Sequence, residues 1–382
     1  MRINRIVAGA TGLALASGGV LAGALGTASA QASRAVSAGA VLAQAGSTLA
    51  VRTGPPGGPV PRGFRVASVT FVSASDGWVL GTTKTCAHAP CTSVLRTTNG
   101  GRSWVGIPAP KFKLAHSGTS AGLLRLRFAD AVDGFAYGSQ LWVTHNGGSS
   151  WNRVRQVPGH INDLEASAGK VYAASTQSGK QVIYSSPAGS NSWKRVAGLT
   201  AAGSGGLGEI TLHGKAGWVI LNNRLYATQN GSRWTKERFR CPSGYGIASV
   251  GAYSAKQITL LCVGDPSAGN TSKVLYVSTN GGAKFARVGR PPHGGDGGLL
   301  AEPTPSHVFV ASASGGSFIY VSTNGGRAWH TALTRGDGGL GWNDFGFTTP
   351  SQGVAVQGTQ ALGSSHLWLT RNAGRIWRIV RF

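Results

Sequence analysis

Apolar and polar residues alternate along most of the chain in short runs that are separated by glycine-containing turns. Residues 66–81 read VASVTFVSASDGWVLG, and residues 123–138 read LLRLRFADAVDGFAYG. An alternation with a period of two is typical of β-strands with one buried face, and β-branched and aromatic residues favour strands. The pattern therefore predicts an all-β protein built from short antiparallel strands.

One short motif recurs along the chain and divides it into similar units. Residues 277–285 read VSTNGGAKF, and residues 321–329 read VSTNGGRAW. Related stretches end at Trp104, Trp151, Trp234 and Trp377, and a degenerate copy, YSSPAGSNSW, ends at Trp193. The aligned asparagines are Asn99, Asn146, Asn230, Asn280, Asn324 and Asn372. The degenerate copy fills the one gap of double length, so we count seven repeats, each on the order of 45 residues.

Each repeat is predicted to be a four-stranded sheet. Asn-Gly between two apolar runs is the strongest short hairpin signal, because both residues tolerate positive φ. A Ser or Thr two residues before the Asn can hydrogen-bond the turn backbone, and the aromatic residue that follows can pack over the hairpin. One such sheet cannot bury both of its faces, whereas a ring of sheets can. Residues 64–382 are therefore predicted to form a seven-bladed β-propeller of four-stranded blades.

The repeated pattern Ser/Thr-x-Asn-Gly-Gly-x-x-Trp resembles the Asp-box, or BNR, repeat, with Asn where that family usually has Asp. The family includes sialidases, sortilin-type receptors, some endoglucanases and photosystem II assembly-factor-like propellers. The resemblance covers residues 64–382 and implies a propeller with Asp-box-like hairpins. It also implies that the motif lies at the periphery, away from any catalytic centre, so we expect the six asparagines to be structural turn residues.

The N-terminal region has the features of a secretory signal peptide. Arg2 and Arg5 precede an apolar, glycine-rich stretch, and Ala28-Ser29-Ala30 provides a cleavage site, so residues 1–30 are predicted to be removed. The alternative is that this segment stays as a membrane anchor. Residues 31–63 are rich in Ala, Gly and Pro and are predicted to be a flexible linker. The mature protein is then secreted or associated with the cell envelope.

The four cysteines fit an oxidising compartment. Cys86 and Cys91 bracket a small loop in the first repeat, and Cys241 and Cys262 flank the first two strands of the fifth, so we predict disulfides Cys86–Cys91 and Cys241–Cys262. The alternative for the first pair is a metal site with His88, but the rest of a zinc ligand set is missing. We expect no metal and no cofactor, since no phosphate loop or dinucleotide fingerprint is present.

Basic residues concentrate just after the motif aromatic, in the predicted outermost strands, and the formal net charge is +24. We call the following eleven residues the basic rim: Arg153, Arg155, Lys194, Arg195, Lys236, Arg238, Arg240, Arg287, Arg290, Arg378 and Arg381. One interpretation is that these charges block edge-to-edge aggregation of exposed strands. The other is a binding surface for a polyanion, such as an anionic wall polymer, a phosphorylated glycan or anionic lipid head groups. Nucleic acid would satisfy the same charge, but export makes it no physiological partner, and we expect a monomer.

Acidic residues are few, and most lie in or near the loops that enter each repeat's first strand. In a propeller these loops surround the mouth of the central channel, where ligands usually bind. The candidate ligand mouth comprises Asp163, Glu209, Tyr245, His293, Asp296, Trp342 and Asp344. The functional interpretation is a site for a small ligand, a cation or a glycan. The structural interpretation is that the acids hydrogen-bond backbone amides.

Three functions are compatible with this pattern. The first is a non-catalytic binding scaffold for an extracytoplasmic protein or an anionic envelope polymer. The second is a glycoside hydrolase with carboxylates Glu209, Asp296 and Asp344, since that chemistry needs two carboxylates at a defined separation. A sialidase is disfavoured, because the family's Arg-Ile-Pro motif is missing from the first inner strand, GFRVASVTF. The third is a chaperone of a membrane protein, which the resemblance to assembly-factor propellers implies.

Overall fold

The computed structural model describes residues 5–7, 55–83, 91–115, 121–202, 208–338, 340–359 and 364–382. Every regular element among these residues is a β-strand, and the strands form seven sheets. Each sheet contains four consecutive antiparallel strands in simple up-and-down order. The prediction of a seven-bladed propeller with four-stranded blades is confirmed.

The strands follow one another from the channel outward in each blade. Blade one contains β2 (Arg65–Phe71), β3 (Gly77–Thr82), β4 (Thr92–Thr97) and β5 (Val105–Ile107). Blade two contains β6 (Leu123–Phe128), β7 (Gly134–Gly138), β8 (Leu141–Thr144) and β9 (Asn152–Val154). Blade three contains β10 (His160–Ser167), β11 (Lys170–Gln177), β12 (Lys180–Pro187) and β13 (Lys194–Ala202). Blade four contains β14 (Glu209–His213), β15 (Ala216–Leu221), β16 (Arg224–Thr228) and β17 (Thr235–Lys236).

The remaining three blades have the same order. Blade five contains β18 (Tyr245–Ala252), β19 (Ile258–Ser267), β20 (Asn270–Ser278) and β21 (Ala286–Gly289). Blade six contains β22 (Asp296–Ala301), β23 (Val308–Ala313), β24 (Gly315–Ser322) and β25 (His330–Gly338). Blade seven contains β26 (Trp342–Phe347), β27 (Gly353–Thr359), β28 (Ser364–Thr370) and β29 (Arg378–Ile379).

Side-chain packing closes the ring between blade seven and blade one. The inner strand of each blade contacts the inner strand of the next, and β26 contacts β2. At this seam Val66 and Val69 are buried in one cluster with Val354 and Leu369. The Phe382 ring lies between Phe64 and Trp104, at centroid distances of 5.0 and 5.6 Å. All four strands of blade one come from residues 65–107, so within the described residues apolar burial and ring contacts close the propeller, without strand exchange.

Two short segments add to the ring. Strand β1 (Arg5–Val7), which belongs to the segment predicted to be a cleaved signal peptide, pairs in parallel with β26 on the channel side of blade seven. Gly58 exchanges two backbone hydrogen bonds with Gly106 of β5 and so covers part of the outer edge of blade one. The rest of the predicted signal peptide, and the predicted linker before residue 55, lie outside the described residues. No helix in the described part of the chain is long and apolar enough to cross a membrane.

The repeated motif forms a hydrogen-bonded loop at the end of each outer hairpin. In blade one, the Thr97 hydroxyl accepts a hydrogen bond from Gly101 N at 2.9 Å, and Asn99 Oδ1 accepts from Arg102 N and Ser103 N at 3.1 and 3.0 Å. Gly100 and Gly101 have φ of +72° and +79°, a region that favours glycine. The loop connects Thr97, the last residue of β4, to Val105, the first residue of β5, and is longer than a two-residue hairpin turn. The Thr and Asn side chains stabilise this longer loop by bridging it internally. The same hydroxyl and Asn pair recurs at Asn146, Asn230, Asn280, Asn324 and Asn372.

The predicted disulfide Cys241–Cys262 is present, with the two Cα atoms 5.7 Å apart. It ties the loop that enters blade five to the middle of β19, where Cys262 is fully buried. For the other predicted pair, Cys86 lies outside the described residues, so Cys86–Cys91 stays a prediction.

Candidate functional site

One position on the inner strand is polar in most blades, although the strand around it is buried and apolar. It follows directly after a bulge in the pairing of the first two strands, as at Ser68, Asp163, Ser249 and Asp344. Glu209, at the start of β14, takes the same place in blade four. All five of these side chains are buried. A buried polar group costs free energy unless it is hydrogen-bonded, so these residues need partners.

The partners are backbone amides of the next blade. Ser68 Oγ accepts from Leu126 N at 3.0 Å, and Ser249 Oγ accepts from Leu300 N at 3.2 Å. The three carboxylates do the same: Asp163 accepts from Ile210 N at 2.6 Å, Glu209 from Val250 N at 3.0 Å, and Asp344 from Val69 N at 2.9 Å. Hydrogen bonds from this one position therefore join five of the seven neighbouring blade pairs, including the closing seam.

The other two junctions use different polar contacts. Between blades two and three, Arg127 Nε donates to Glu165 Oε1 at 3.0 Å, and both side chains are buried. Between blades six and seven, Trp342 Nε1 donates to the carbonyls of Ser312 and Phe318, both at 3.1 Å. The bulge position holds Arg125 in blade two and Leu299 in blade six. Neither residue can accept a hydrogen bond in the way that Ser, Asp and Glu do.

A cluster of buried charges connects these contacts across the channel side of blades two, three and seven. Asp344 Oδ1 lies 3.6 Å from a terminal nitrogen of Arg127 and 3.8 Å from one of Arg125. Burial would lower the pKa of Arg127, but the surrounding negative charges, Glu165 first, outweigh it and hold the pKa above its usual value. The guanidinium of Arg127 therefore stays charged, and the carboxylates compensate it.

Burial acts in the opposite direction on the acids. It raises the pKa of Asp163 to about 7, although the hydrogen bond from Ile210 and the charge of Arg127 lower it. Burial also raises the pKa of Glu165 well above its usual range, against the charge of Arg127. Such shifts occur in active sites, but they also occur in structural ion-pair networks.

The other predicted mouth residues are placed differently. Asp296 and Trp342 line a cavity of about 160 Å³ on the channel side of blades five to seven. Asp296 Oδ1 is buried there and has no hydrogen-bond partner. Tyr245 is half-buried in the apolar cluster of blades four and five, and the His293 side chain is exposed. The structure thus places Asp296 and Trp342 at one cavity, which the other five mouth residues do not line.

A buried lysine holds the loop that leads to this cavity. Lys273 is fully buried, and its Nζ donates to the carbonyl oxygens of His293 at 2.9 Å and Gly295 at 2.8 Å. Burial lowers the pKa of Lys273 to about 8, while the charge of Asp296 raises it. These contacts hold the backbone that directly precedes Asp296, the first residue of β22. Among the described residues, no three His, Cys, Asp or Glu side chains are grouped so that they could hold a metal ion.

All eleven basic rim side chains are exposed. They lie on, or within a few residues of, the outer strands of blades two to five and seven. In the described part of the chain, none of them lies within 4.0 Å of a carboxylate oxygen. In blade six, Arg335 of β25 instead stacks over the Trp368 ring at 4.5 Å from its centroid. The rim is thus a set of exposed positive charges on five blades, without a carboxylate partner among the described residues.

The sequence-based candidate site did not include Arg127, Glu165, Ser68, Ser249 or Lys273. The first four share a signal that was available, namely a polar residue inside an otherwise apolar inner strand. Lys273 carried a similar signal in the apolar strand SKVLYVS, where a buried lysine requires several acceptors. The partner that each of the first four meets lies in a neighbouring blade and could not be obtained from one strand alone.

Solved structures share this fold at low sequence identity. A structure of YCF48 bound to D1 peptide matches with a TM-score of 0.53 and 14% identity, over 82% of this chain and 93% of that chain. YCF48 from Cyanidioschyzon merolae matches with a TM-score of 0.53 and 18% identity, over 83% and 96%. A prolyl endopeptidase matches with a TM-score of 0.53 and 12% identity, over 83% and 49%. No model of a known protein family and no curated protein matches the chain. What these likenesses establish for this chain is the β-propeller fold.

Proposed function

We propose that this protein is a non-catalytic binding propeller that acts outside the cytoplasm and docks an anionic partner on its basic rim. The observation that carries the proposal is the exposure of all eleven rim side chains, which have no carboxylate within 4.0 Å among the described residues. Protection of strand edges could use fewer charges of mixed sign, whereas one sign of charge on several outer strands attracts and orients a polyanion.

The inner acids support a structural role rather than catalysis. Glu209 and Asp344, two of the three carboxylates considered for glycoside hydrolysis, are buried and accept hydrogen bonds from amides of the next blade. A general acid must instead reach the glycosidic oxygen of its substrate. Asp296 faces a cavity, but a single carboxylate does not supply both groups of a glycosidase pair.

The partner class is proposed to be an acidic segment of an extracytoplasmic protein, with an anionic envelope polymer as the alternative. The neighbouring fold of YCF48, whose structure was solved with D1 peptide, supports a polypeptide partner. Export is supported by the signal-like sequence of residues 1–30 and by the disulfide Cys241–Cys262, because disulfides persist in oxidising compartments.

The proposal is tested with fluorescently labelled poly-L-glutamate and the purified protein, by anisotropy over a range of salt concentrations. The rim variant carries Arg153→Gln, Arg155→Gln, Lys194→Gln and Arg195→Gln. The matched control removes the same charge from exposed positions off the outer strands: Lys180→Gln, Lys215→Gln, Lys256→Gln and Lys284→Gln. The rim variant is expected to bind roughly tenfold more weakly at low salt and to show a flatter salt dependence, because exposed charges act through screened attraction.

Equal weakening by the rim and control variants would mean that only net charge matters, and the rim would not be a docking surface. A fluorogenic glycoside panel provides the complementary test. We expect no turnover. If the protein does turn over a glycoside, and Glu209→Gln or Asp296→Asn abolishes that turnover, the protein is a glycosidase and not a binding scaffold.

A further inference from the structure

A cleft of about 560 Å³ opens at the seam where the ring closes. It lies between the turns of blades one and seven on the side of the Asn-Gly loops. Eight of its ten lining residues are polar or charged; the lining consists of Ala74, Ser75, Thr98, Asn99, Gly100, Arg102, Thr349, Ser351, Gln352 and Arg371. None of these residues belongs to the basic rim or to the predicted mouth, so the cleft is a separate feature of the molecule.

Two guanidinium groups face this cleft without a carboxylate to neutralise them. Arg102 comes from the motif loop of blade one and Arg371 from that of blade seven. Arg371 donates a hydrogen bond to the carbonyl of Gly100 across the seam. Among the described residues, no carboxylate oxygen lies within 4.0 Å of either guanidinium. The nearby Asp76 carboxylate accepts hydrogen bonds from the hydroxyls of Ser73 and Ser75, at 2.7 Å each.

A third side chain of the cleft carries a donor without a hydrogen-bond partner. Gln352 lines the cleft and is only 5% exposed, and its side-chain nitrogen is buried without a hydrogen-bond acceptor. Buried donors in native structures are nearly always hydrogen-bonded, so this nitrogen can gain an acceptor when the side chain turns towards a ligand in the cleft. The proximity of the cations is also reflected in the pKa of Arg371, which burial lowers first and the like charge of Arg102 lowers further.

We propose that the seam cleft binds a phosphate group. Guanidinium groups form charge-assisted, often bidentate hydrogen bonds with phosphate oxygens, and the amide of Gln352 adds a neutral donor. A phosphate monoester carries about −1.5 to −2 at pH 7, which balances two cations better than one carboxylate does. The cleft is much larger than a phosphate ion, so it has room for the group that the phosphate is attached to.

This inference goes beyond the proposed function and does not depend on it. The rim test uses a polycarboxylate and rim variants, whereas the cleft contains no rim residue. Failure of one therefore leaves the other standing. Occupation of the cleft would also stabilise the closed ring, because its two arginines come from the first and last blades.

The test is isothermal titration calorimetry of the full chain with inorganic phosphate at low ionic strength. Arg102→Gln is the main variant, because the Arg102 side chain is exposed and the motif bond to Asn99 uses only its backbone nitrogen. The matched control is Arg327→Gln, which removes the equivalent arginine from the same motif in blade six. Arg102→Gln is expected to weaken phosphate binding about tenfold, and Arg327→Gln to change it less than about twofold. Gln352→Leu, which removes the unpaired donor, is expected to weaken it as well.

Three ligands separate the sources of the anion. Binding of both inorganic phosphate and glycerol 3-phosphate, with the same loss in Arg102→Gln, supports a phosphate ester as the natural ligand. Binding of inorganic phosphate alone supports the free ion. Tighter binding of a capped tri-aspartate peptide than of either phosphate would overturn the assignment in favour of a carboxylate partner. Absence of phosphate binding by the unmodified chain, or equal losses in Arg102→Gln and Arg327→Gln, would overturn the site itself.

Discussion

The innermost and outermost strands of this propeller both carry charged side chains, but they use them in opposite ways. On the inner strands, Asp163, Glu209 and Asp344 are buried and bonded to amides of the next blade. On the outer strands, residues such as Arg153 and Lys194 are exposed and unpaired within the described part of the chain. Inner charges therefore hold the ring together, while outer charges remain available to a partner.

The free energy of burying a charge explains why inner charges are paired and outer charges are not. A buried carboxylate must be compensated, and the removal of one member of a buried charged pair typically costs several kcal/mol. An exposed charge is already solvated, and its removal changes stability little. Single substitutions of the buried acids on the inner strands are therefore expected to lower the stability of the protein. Substitutions in the basic rim are expected to weaken only the binding of a partner.

The largest effect is expected for Asp344→Ala at the closing seam. This change removes the acceptor of Val69 N and leaves the buried guanidinium of Arg127 with less compensation. We expect the free energy of unfolding to fall by about 3 to 5 kcal/mol. Urea unfolding followed by tryptophan fluorescence measures this fall.

The control for this prediction is Asp265→Ala, which removes an exposed carboxylate near the end of β19. It is expected to change stability by no more than about 0.5 kcal/mol. If both variants unfold at the same urea concentration as the unmodified protein, the seam hydrogen bond does not hold the ring closed.

The next largest effect concerns the pH dependence of stability and the variant Asp163→Asn. The pKa of Asp163 is raised from 3.8 to about 7 in the folded protein, so between these values the folded state binds more protons than the unfolded state. Stability from this group is therefore present at low pH and is lost as pH rises from about 4 to about 7, by at most about 1.4 kcal/mol per pH unit.

Asn at this position keeps an oxygen that can accept from Ile210 N and no longer titrates. The unmodified protein should lose stability between pH 4 and pH 7 more steeply than Asp163→Asn, as measured by urea unfolding at several pH values. Parallel curves for the two proteins would show that Asp163 does not change its protonation on folding in this range.

The sequence predicted the propeller because its repeats, turns and strand alternation agree. The Asn-Gly motif at Asn280 and Asn324 marks hairpins through local backbone preferences, which do not depend on neighbouring blades. The disulfide Cys241–Cys262 was also predictable, because one cysteine precedes the first strand of blade five and the other lies in the strand that pairs with it. Features that arise inside one repeat are thus accessible from the sequence.

The roles of the inner acids were less accessible, because they arise between repeats. Asp163 and Asp344 follow a bulge that turns the side chain towards the next blade, and their acceptor role depends on amides 47 and 275 positions away in the chain. An acid near the start of a strand looks the same in the sequence whether it faces an open channel or a neighbouring amide. The seam cleft has the same origin, since Arg102 and Arg371 meet only when the ring closes.

The smallest effect on stability is expected at the rim. Arg153→Gln together with Arg155→Gln removes one exposed charge in β9 and one directly after it, and the free energy of unfolding should change by no more than about 0.5 kcal/mol. Binding of poly-L-glutamate should nevertheless weaken, because these charges contribute to the field that attracts a polyanion. Urea unfolding and anisotropy on the same protein sample measure both quantities. A loss of stability as large as that of Asp344→Ala would mean that the rim charges, like the inner acids, maintain the fold, and the contrast between the two regions would fail.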